Sequence, residues 1–233
     1  MRVKCIRLIV VFLWSLSIFI PISSFSEGTQ EDFSVTIGED KVFTNFNYHD
    51  ASIHDEWGFS YPNDEFNKAI STGATASVST AVPPLEPGWS WYLRSGSAAV
   101  GIIFSLEGWE LAARPQQVRV TIDFSYKLEV SGPLSPLGSA YARISYSYGV
   151  EGYCYDYCYL EGARSSHSDA GVISFETTTD RLIRDGKGRI VLGARAGINA
   201  RPQYPPYSAS SELHVRSIKI EFFNSPPVAS FIY

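Results

Sequence analysis

The chain has 233 residues, of which 45% are hydrophobic and 14% aromatic, so it can build a folded core and is not a disordered chain. Its 24 acidic residues outnumber 19 lysines and arginines, which gives a formal charge of −5 at pH 7. This charge argues against a nucleic-acid partner and against electrostatic binding to anionic lipid.

The first 26 residues have the features of a secretory signal peptide. Three basic residues precede an apolar run over residues 8–20, and Pro21 ends that run. A helix needs about 20 residues to cross a bilayer, so this run is too short to span one comfortably. We therefore predict cleavage after Ser26 and a secreted or cell-surface protein. Membrane contact is expected only if this segment stays uncleaved.

Short strands separated by turns are predicted after the signal segment. The first lie at residues 33–37 and 41–48, and the Asn63–Ile70 segment has the pattern of one or two helical turns, with Asn63 as the cap. Residues 98–104 are almost all apolar, which indicates a central strand covered on both faces.

Residues 118–130 carry the clearest strand pattern. Seven apolar side chains alternate with six polar ones without a break, from Val118 to Val130. Because successive side chains of a strand point to opposite faces, one face must be covered by a second layer while the other can meet water. This is the behaviour of antiparallel sheets.

The last third of the chain continues the strand pattern. The Asp185-Gly186 pair predicts a tight hairpin turn before an alternating strand at 189–200. In the last strand, the apolar positions change phase near Arg216 and Ser217, which predicts a β-bulge. About eight to ten strands at this spacing predict an all-β, two-sheet antiparallel β-sandwich over residues 27–223, with jelly-roll topology as the first choice.

The C-terminal segment 224–233 differs from the rest. Its Pro226-Pro227-Val228-Ala229-Ser230-Phe231 run resembles the opening of a PKD-type immunoglobulin-like repeat. The resemblance covers ten residues and implies a longer modular surface protein, because PKD-type modules act as spacers and adhesion elements in exported proteins. The alternative is a Pro-rich linker or tail.

Aromatic clusters are the candidate binding residues. Two of them, WSWYLR and YCYDYCY, are short segments in which aromatic side chains alternate with other residues, and a third group lies in the irregular segment after residue 48. Exposed aromatic rings provide stacking surfaces for sugar rings or for a partner protein, although core packing is the alternative for the tryptophans. The candidates are Trp57, Tyr61, Trp89, Trp91, Tyr92, Tyr153, Tyr155, Tyr157 and Tyr159.

Two cysteines, Cys154 and Cys158, remain after removal of the signal segment, and an even count in an exported protein predicts a disulfide. An extended chain would hold them about 13 Å apart at 3.3 Å per residue. A disulfide needs Cα atoms within about 7 Å. We therefore expect this segment to turn and to form a small closed loop that presents its tyrosines to solvent.

Signals for metal binding and catalysis are weak. The segment Tyr48–Trp57 concentrates histidines and carboxylates, but its spacing matches no zinc or EF-hand pattern. A structural Ca²⁺ ion is the metal to test there, and no other cofactor is expected. No nucleophile elbow or metalloprotease motif is present, and no catalytic residue is assigned.

Three functions are compatible with these patterns. The preferred hypothesis is a non-catalytic exported module that binds carbohydrate or a cell-surface protein through its aromatic residues. The second is a polysaccharide-degrading enzyme on a jelly-roll fold, which would require paired carboxylates in a cleft; Glu107 with Glu110, or Asp123 with Glu129, could supply such a pair. The third is a purely structural envelope or adhesion module.

Overall fold

A computed structural model describes residues 33–55, 58–83, 92–111, 114–132, 138–149, 152–161, 165–200 and 207–223. The predicted signal peptide and the PKD-like tail lie outside these ranges. In chain order the strands are β1 (Phe33–Thr36), β2 (Lys41–Phe43), β3 (Tyr48–His54), β4 (Ser60–Tyr61), β5 (Asn67–Thr72), β6 (Thr75–Ala81), β7 (Tyr92–Glu107), β8 (Gln117–Ser131), β9 (Gly138–Tyr148), β10 (Tyr153–Glu161), β11 (Ser165–Thr178), β12 (Ile183–Arg184), β13 (Lys187–Ala200) and β14 (Ser208–Phe222). A 3-10 turn (Trp109–Leu111) precedes β8, and a one-turn helix α1 (Thr179–Leu182) follows β11.

The strands form two sheets that pack face to face. The larger sheet has the order β10-β9-β13-β7-β3-β4, with β1 and β12 at its margin. The smaller sheet has the order β11-β8-β14-β6-β5, with β2 beside β14. All pairs are antiparallel except β1 with β7. The predicted two-sheet antiparallel β-sandwich is confirmed.

The connectivity is that of a jelly-roll. Strand β9 pairs with β10, β8 with β11, β7 with β13, and β6 with β14, so the pairs are nested one inside the next. Successive pairs alternate between the larger and the smaller sheet. This is the arrangement of a long hairpin rolled into two sheets of four strands, to which β3 and β5 add further edge strands.

Strand β8 supplies one wall of the core. All seven apolar side chains of its alternating pattern are buried, from Val118 and Val120 (both fully buried) to Val130 at 3% exposure. The intervening polar residues face outward and are half-buried or exposed. On the opposite layer, the even-numbered residues from Ile190 to Ala200 of β13 are also buried, which confirms the predicted inward face of that strand.

The predicted turn and bulge are both present. Asp185 and Gly186 have positive φ values of 50° and 76°, as a type I′ hairpin turn requires. The pairing of β14 with β8 shifts register between Val215 and Ser217, so Arg216 is the extra residue of the bulge. Its guanidinium donates to Asp123 Oδ1 and to the Phe124 carbonyl, which holds the bulge against β8.

The helical turn predicted at Asn63–Ile70 is wrong, because β5 begins at Asn67. The Asp64 carboxylate accepts the backbone amides of Phe66 and Asn67 and so stabilises a turn rather than a helix start. Asn63 bonds to both backbone groups of Ala69, as a neighbouring strand would.

Candidate ligand-binding surface

The segment with the cysteines is a strand, not a closed turn. Residues Tyr153–Glu161 form β10 and pair with β9, and Cys158 is a free thiol. Its Sγ donates to the hydroxyl of Tyr126 on β8 at 3.0 Å. The predicted Cys154–Cys158 disulfide loop is therefore wrong, since an extended backbone keeps these two positions too far apart for a bridge.

A bulge in β10 sends its tyrosines to both sides of the strand. Tyr155 is opposite Tyr146, and Cys158 is opposite Ile144, so Tyr157 is the extra residue at the register shift. Beyond the bulge the alternation changes phase. Tyr155 consequently shares the inner side of the larger sheet with Tyr146, whereas Tyr159 lies on the outer side.

Tyr155 is held by a stack of aromatic rings at the open edge of the sandwich. Its ring lies 5.1 Å from the ring of Tyr146 with an interplanar angle of 21°, and 6.4 Å from that of Tyr148. Phe175 of β11 stacks 4.3 Å from Tyr148 and connects the two sheets. Stacked rings restrict the rotation of one another, so Tyr155 has a defined orientation before any ligand arrives.

Tyr157 packs on the smaller sheet. Its ring meets Phe124 edge-on at 5.2 Å and Tyr126 at 6.2 Å. A Cβ at Gly171 of β11 would lie 3.0 Å from the Tyr157 hydroxyl, so glycine at this position leaves the space that the hydroxyl uses. Tyr157 therefore bridges the edge strands β10 and β11.

Tyr159 pairs with a residue that the sequence did not single out. Its ring stacks 6.3 Å from that of Tyr141 on β9, and the Arg143 guanidinium carbon lies 5.6 Å from the Tyr141 ring centre. The Tyr141 ring lies over Gly197 of β13. Alternation in the segment 140–148 already places Tyr141 and Arg143 on one face, but the pairing with Gly197 joins positions far apart in the chain.

We call Tyr141, Tyr155, Tyr157 and Tyr159, which lie on or beside the edge strand β10 and on both of its sides, the tyrosine surface. The three tyrosines of β10 are 46%, 42% and 48% exposed in chain order, and Tyr141 is half-buried. Each of the four rings contacts another aromatic ring of the protein. The surface thus combines exposed ring area with restricted side-chain freedom.

The hydroxyl of Tyr126, beneath this surface, joins two other side chains. It accepts from the Cys158 thiol and lies 2.8 Å from His167 Nε2 of β11. The pKa of Tyr126 is raised, first by burial and then by the hydrogen bond with Cys158. Tyr126 therefore stays protonated at neutral pH and acts as a hydrogen-bonding link among three strands.

Two of the other predicted binding aromatics are engaged within the protein. Tyr92 is only 2% exposed and its hydroxyl bonds to Asn67, so this residue belongs to the core and its prediction as a binding residue is wrong. Tyr61 is 38% exposed, but the Arg94 guanidinium carbon lies 3.8 Å from its ring centre and covers one face.

Four further candidates lie outside the part of the chain that is described: Trp57, Trp89, Trp91 and the side chain of Tyr153.

The His- and Asp-containing segment forms local contacts. His49 lies within hydrogen-bonding distance of Ser71 Oγ, and the Asp55 carboxylate accepts the Phe59 amide and the Tyr61 hydroxyl. Among the described side chains, no group of three or more His, Cys, Asp and Glu residues is placed to hold a metal ion. Calcium binding here stays a prediction, because Glu56 is not among those side chains.

Asp123 and Glu129, one of the carboxylate pairs considered for a polysaccharide-degrading enzyme, are each in a surface ion pair. Asp123 contacts Arg216 at 2.6 Å, and Glu129 contacts Lys127 at 2.7 Å. On β11, His167 faces Tyr126, while Asp169 Oδ1 accepts the amide of Ala170.

No family model and no curated protein matches the chain. Among solved structures, a chain from the cryo-microscopy structure of the empty virus-like particle of Cowpea Mosaic Virus is similar, with 10% identity and a TM-score of 0.23. The match covers 74% of this chain and 94% of that chain. A TM-score this low carries no argument about function. Across the described ranges, no helix is long and apolar enough to cross a membrane.

Proposed function

We propose that this protein is an exported, non-catalytic β-sandwich module that binds carbohydrate through the tyrosine surface. The observation that carries the proposal is the combination of exposure and support: three tyrosines on one edge strand each rest on another ring and still expose 42–48% of their surface. Aromatic rings offer apolar faces to sugar rings and hydroxyl groups to their polar edges.

Restricted rings favour binding for an entropic reason. A side chain that must be immobilised by its ligand lowers the affinity, whereas a ring already fixed by its neighbours loses little freedom on binding. The ring of Tyr146 restricts Tyr155, that of Phe124 restricts Tyr157, and that of Tyr141 restricts Tyr159. Export is supported by the signal-like segment 1–26, and the PKD-like run at 226–231 supports a place in a longer surface protein.

A glycan array tests the proposal. The parent protein is expected to bind a subset of glycans, and replacement of Tyr155, Tyr157 and Tyr159 by alanine should abolish that binding. Tyr159→Ala alone provides a milder variant, because it leaves Tyr155, Tyr157 and the rings that contact them in place. Phe59→Ala is the matched control: Phe59 is a 66% exposed aromatic residue next to β4, at the opposite edge of the larger sheet.

Two results would contradict the proposal. If both tyrosine variants still bind glycan, the tyrosine surface is not the binding site. Release of reducing ends from a polysaccharide by the parent protein would show a hydrolytic enzyme instead of a binding module.

A further inference from the structure

A groove crosses the outer face of the smaller sheet, on the side of the sandwich opposite to the Tyr141–Tyr159 pair. It consists of two adjoining hollows of about 230 and 450 Å³, which share Ser79, Glu129 and Ser210. Pockets that hold small ligands usually have volumes of about 300–1,000 Å³. The groove is therefore large enough for part of an oligosaccharide.

The register of the strands explains the shape of the groove. One row across the strands β5, β6, β14 and β8 consists of Lys68, Ser79, Ser210 and Glu129, so two serines form the floor between two longer side chains. The next row consists of Ile70, Ser77, Glu212 and Lys127, and there Glu212 of β14 places a carboxylate beside the floor.

The groove presents fixed hydrogen-bonding groups. Lys127 Nζ lies 2.7 Å from Glu129 Oε1, and Ser210 Oγ donates to Glu129 Oε2 at 3.2 Å. The hydrogen bond from Lys127 is the main cause that lowers the pKa of Glu129, so this carboxylate is ionised at neutral pH. Its oxygens can each accept more than one bond, and the serine hydroxyls can both donate and accept. These groups match the hydroxyls of a sugar.

The charges and the apolar side chain that line the groove favour a neutral ligand with an apolar face. Three carboxylates, on Glu65, Glu129 and Glu212, line the groove beside two lysines. This balance disfavours a polyanion. Ile70 is 49% exposed at the groove wall and offers an apolar contact to the C–H face of a sugar ring.

We propose that this groove is a second binding site and takes a segment of a neutral polysaccharide. The ligand class rests on the proposed carbohydrate function, but the site itself shares no residue with the tyrosine surface. Two separate sites on one module would let it bind two chains, or a single long chain twice. Linked sites bind a polymer more tightly than either site alone.

Neutral polysaccharides in affinity gels provide the test, with laminarin, xylan and mannan as probes and polygalacturonate as the acidic comparison. Ser79→Arg fills the floor of the groove, and Ser79 is exposed, so the larger side chain can be accommodated. Ser174→Arg is the matched control, because Ser174 is an exposed serine of β11 on the same sheet but outside the groove. Glu129→Gln is a second variant that keeps the shape and removes the charge.

Ser79→Arg and Glu129→Gln are expected to lower the affinity for a retained neutral polysaccharide about tenfold or more, because a polymer held at two linked sites binds more tightly than one held at a single site. Ser174→Arg should bind as the parent does. With a short oligosaccharide of the same sugar, calorimetry should give two sites in the parent and one in Ser79→Arg. The tyrosine variants should also retain one site.

The possible failures are distinguishable. A stoichiometry of one in the parent, with both groove variants binding normally, overturns the groove and leaves the tyrosine surface standing. Loss of all binding in the groove variants, with none lost in the tyrosine variants, supports the groove and overturns the tyrosine surface. Retention by polygalacturonate alone overturns the neutral ligand class, and no retention by any probe overturns both sites.

Discussion

The ring of Tyr141 occupies the space that a side chain at Gly197 would need. A Cβ at residue 197 would lie 2.5 Å from Tyr141 Cε1 and 2.6 Å from its Cζ and hydroxyl oxygen. The strand β13 thus forms the base on which Tyr141 lies, and Tyr141 in turn stacks with Tyr159.

Gly197→Ala should weaken glycan binding while leaving the protein folded. The added methyl group displaces the far end of the Tyr141 side chain, which can rotate, rather than a rigid backbone element. We expect glycan affinity to fall several-fold and Tm to change by no more than about 2–4 °C, equivalent to roughly 1 kcal/mol in a domain of this size. Gly193→Ala is the control, since its Cβ would lie 3.3 Å from Ser145 Oγ and 3.8 Å from the Ala98 carbonyl oxygen and would not contact Tyr141. Equal binding by the two variants would argue against the Tyr141 platform.

Gly186→Ala should destabilise the fold by more than about 1 kcal/mol. Residue 186 has a φ of 76°, which costs an L-residue energy, and a Cβ there would lie 2.5 Å from Trp109 Nε1. Gly73→Ala separates the two effects, because Gly73 also has a positive φ but no heavy atom within 4 Å of the added Cβ. Urea unfolding monitored by circular dichroism should show the larger loss for Gly186→Ala. A larger loss for Gly73→Ala would exclude the Trp109 contact as a cause.

Stability should fall between pH 7.5 and pH 5.5, partly because of His54. Burial is the main cause that lowers the pKa of His54, Arg195 lowers it further, and Asp55 acts in the opposite direction. The unfolded chain therefore takes up a proton near pH 6.5, before the folded protein does, and the free energy of unfolding decreases as the pH falls through that value. Well above pH 6.5, His54 is neutral in both the folded and the unfolded chain and does not change the free energy of unfolding.

Urea midpoints at several pH values measure this dependence. His54→Gln removes the titrating group and should reduce the loss of stability over the same interval. An unchanged pH dependence in His54→Gln would rule out His54 as its source.

Cys158 should react with iodoacetamide without prior reduction. Its side chain is half-buried and carries a free thiol in the structure, and Cys158→Ser should remove this modification. Mass spectrometry of the native protein after alkylation provides the measurement. If Cys158 is modified only after treatment with a reductant, the protein contains the disulfide that the strand geometry excludes, and the prediction is wrong.

The parts of the fold that local patterns specify were predictable. The alternation from Val118 to Val130 predicted a buried face that the structure confirms, and the phase change near Arg216 predicted the bulge. Both features depend only on the order of polar and apolar residues within one strand. The same holds for the Asp185-Gly186 turn, which depends on the backbone freedom of two neighbours.

The error at β10 has a physical explanation. Gly149 and Gly152 have positive φ values of 74° and 62°, but they lie between β9 and β10 and before the cysteines. The tyrosines then follow in a strand because β9 provides a pairing partner. Glycines and an aspartate nearby did not show where β10 begins.

The binding surfaces depended on contacts between distant residues. Tyr92 shares the inward face of β7 with Ala98 and Val100, and extending that alternation back to residue 92 would have identified it as a core residue. By contrast, the contact of Tyr141 with Gly197 and the row containing Ser79 and Ser210 require the strand register. No spacing within one segment reveals them.

The nested order of the strands also determines when the protein can fold. The final strand, β14, lies between β6 and β8. Its Ser208 pairs with Ala81 of β6, and its Ala209 pairs with Val130 of β8, so both partners are far away in the chain. Such long-range pairing slows folding. The smaller sheet of a nascent chain therefore lacks its central strand until β14 has been synthesised. For the export that we propose, this delay is favourable, because a translocation channel accepts a chain that has not yet folded.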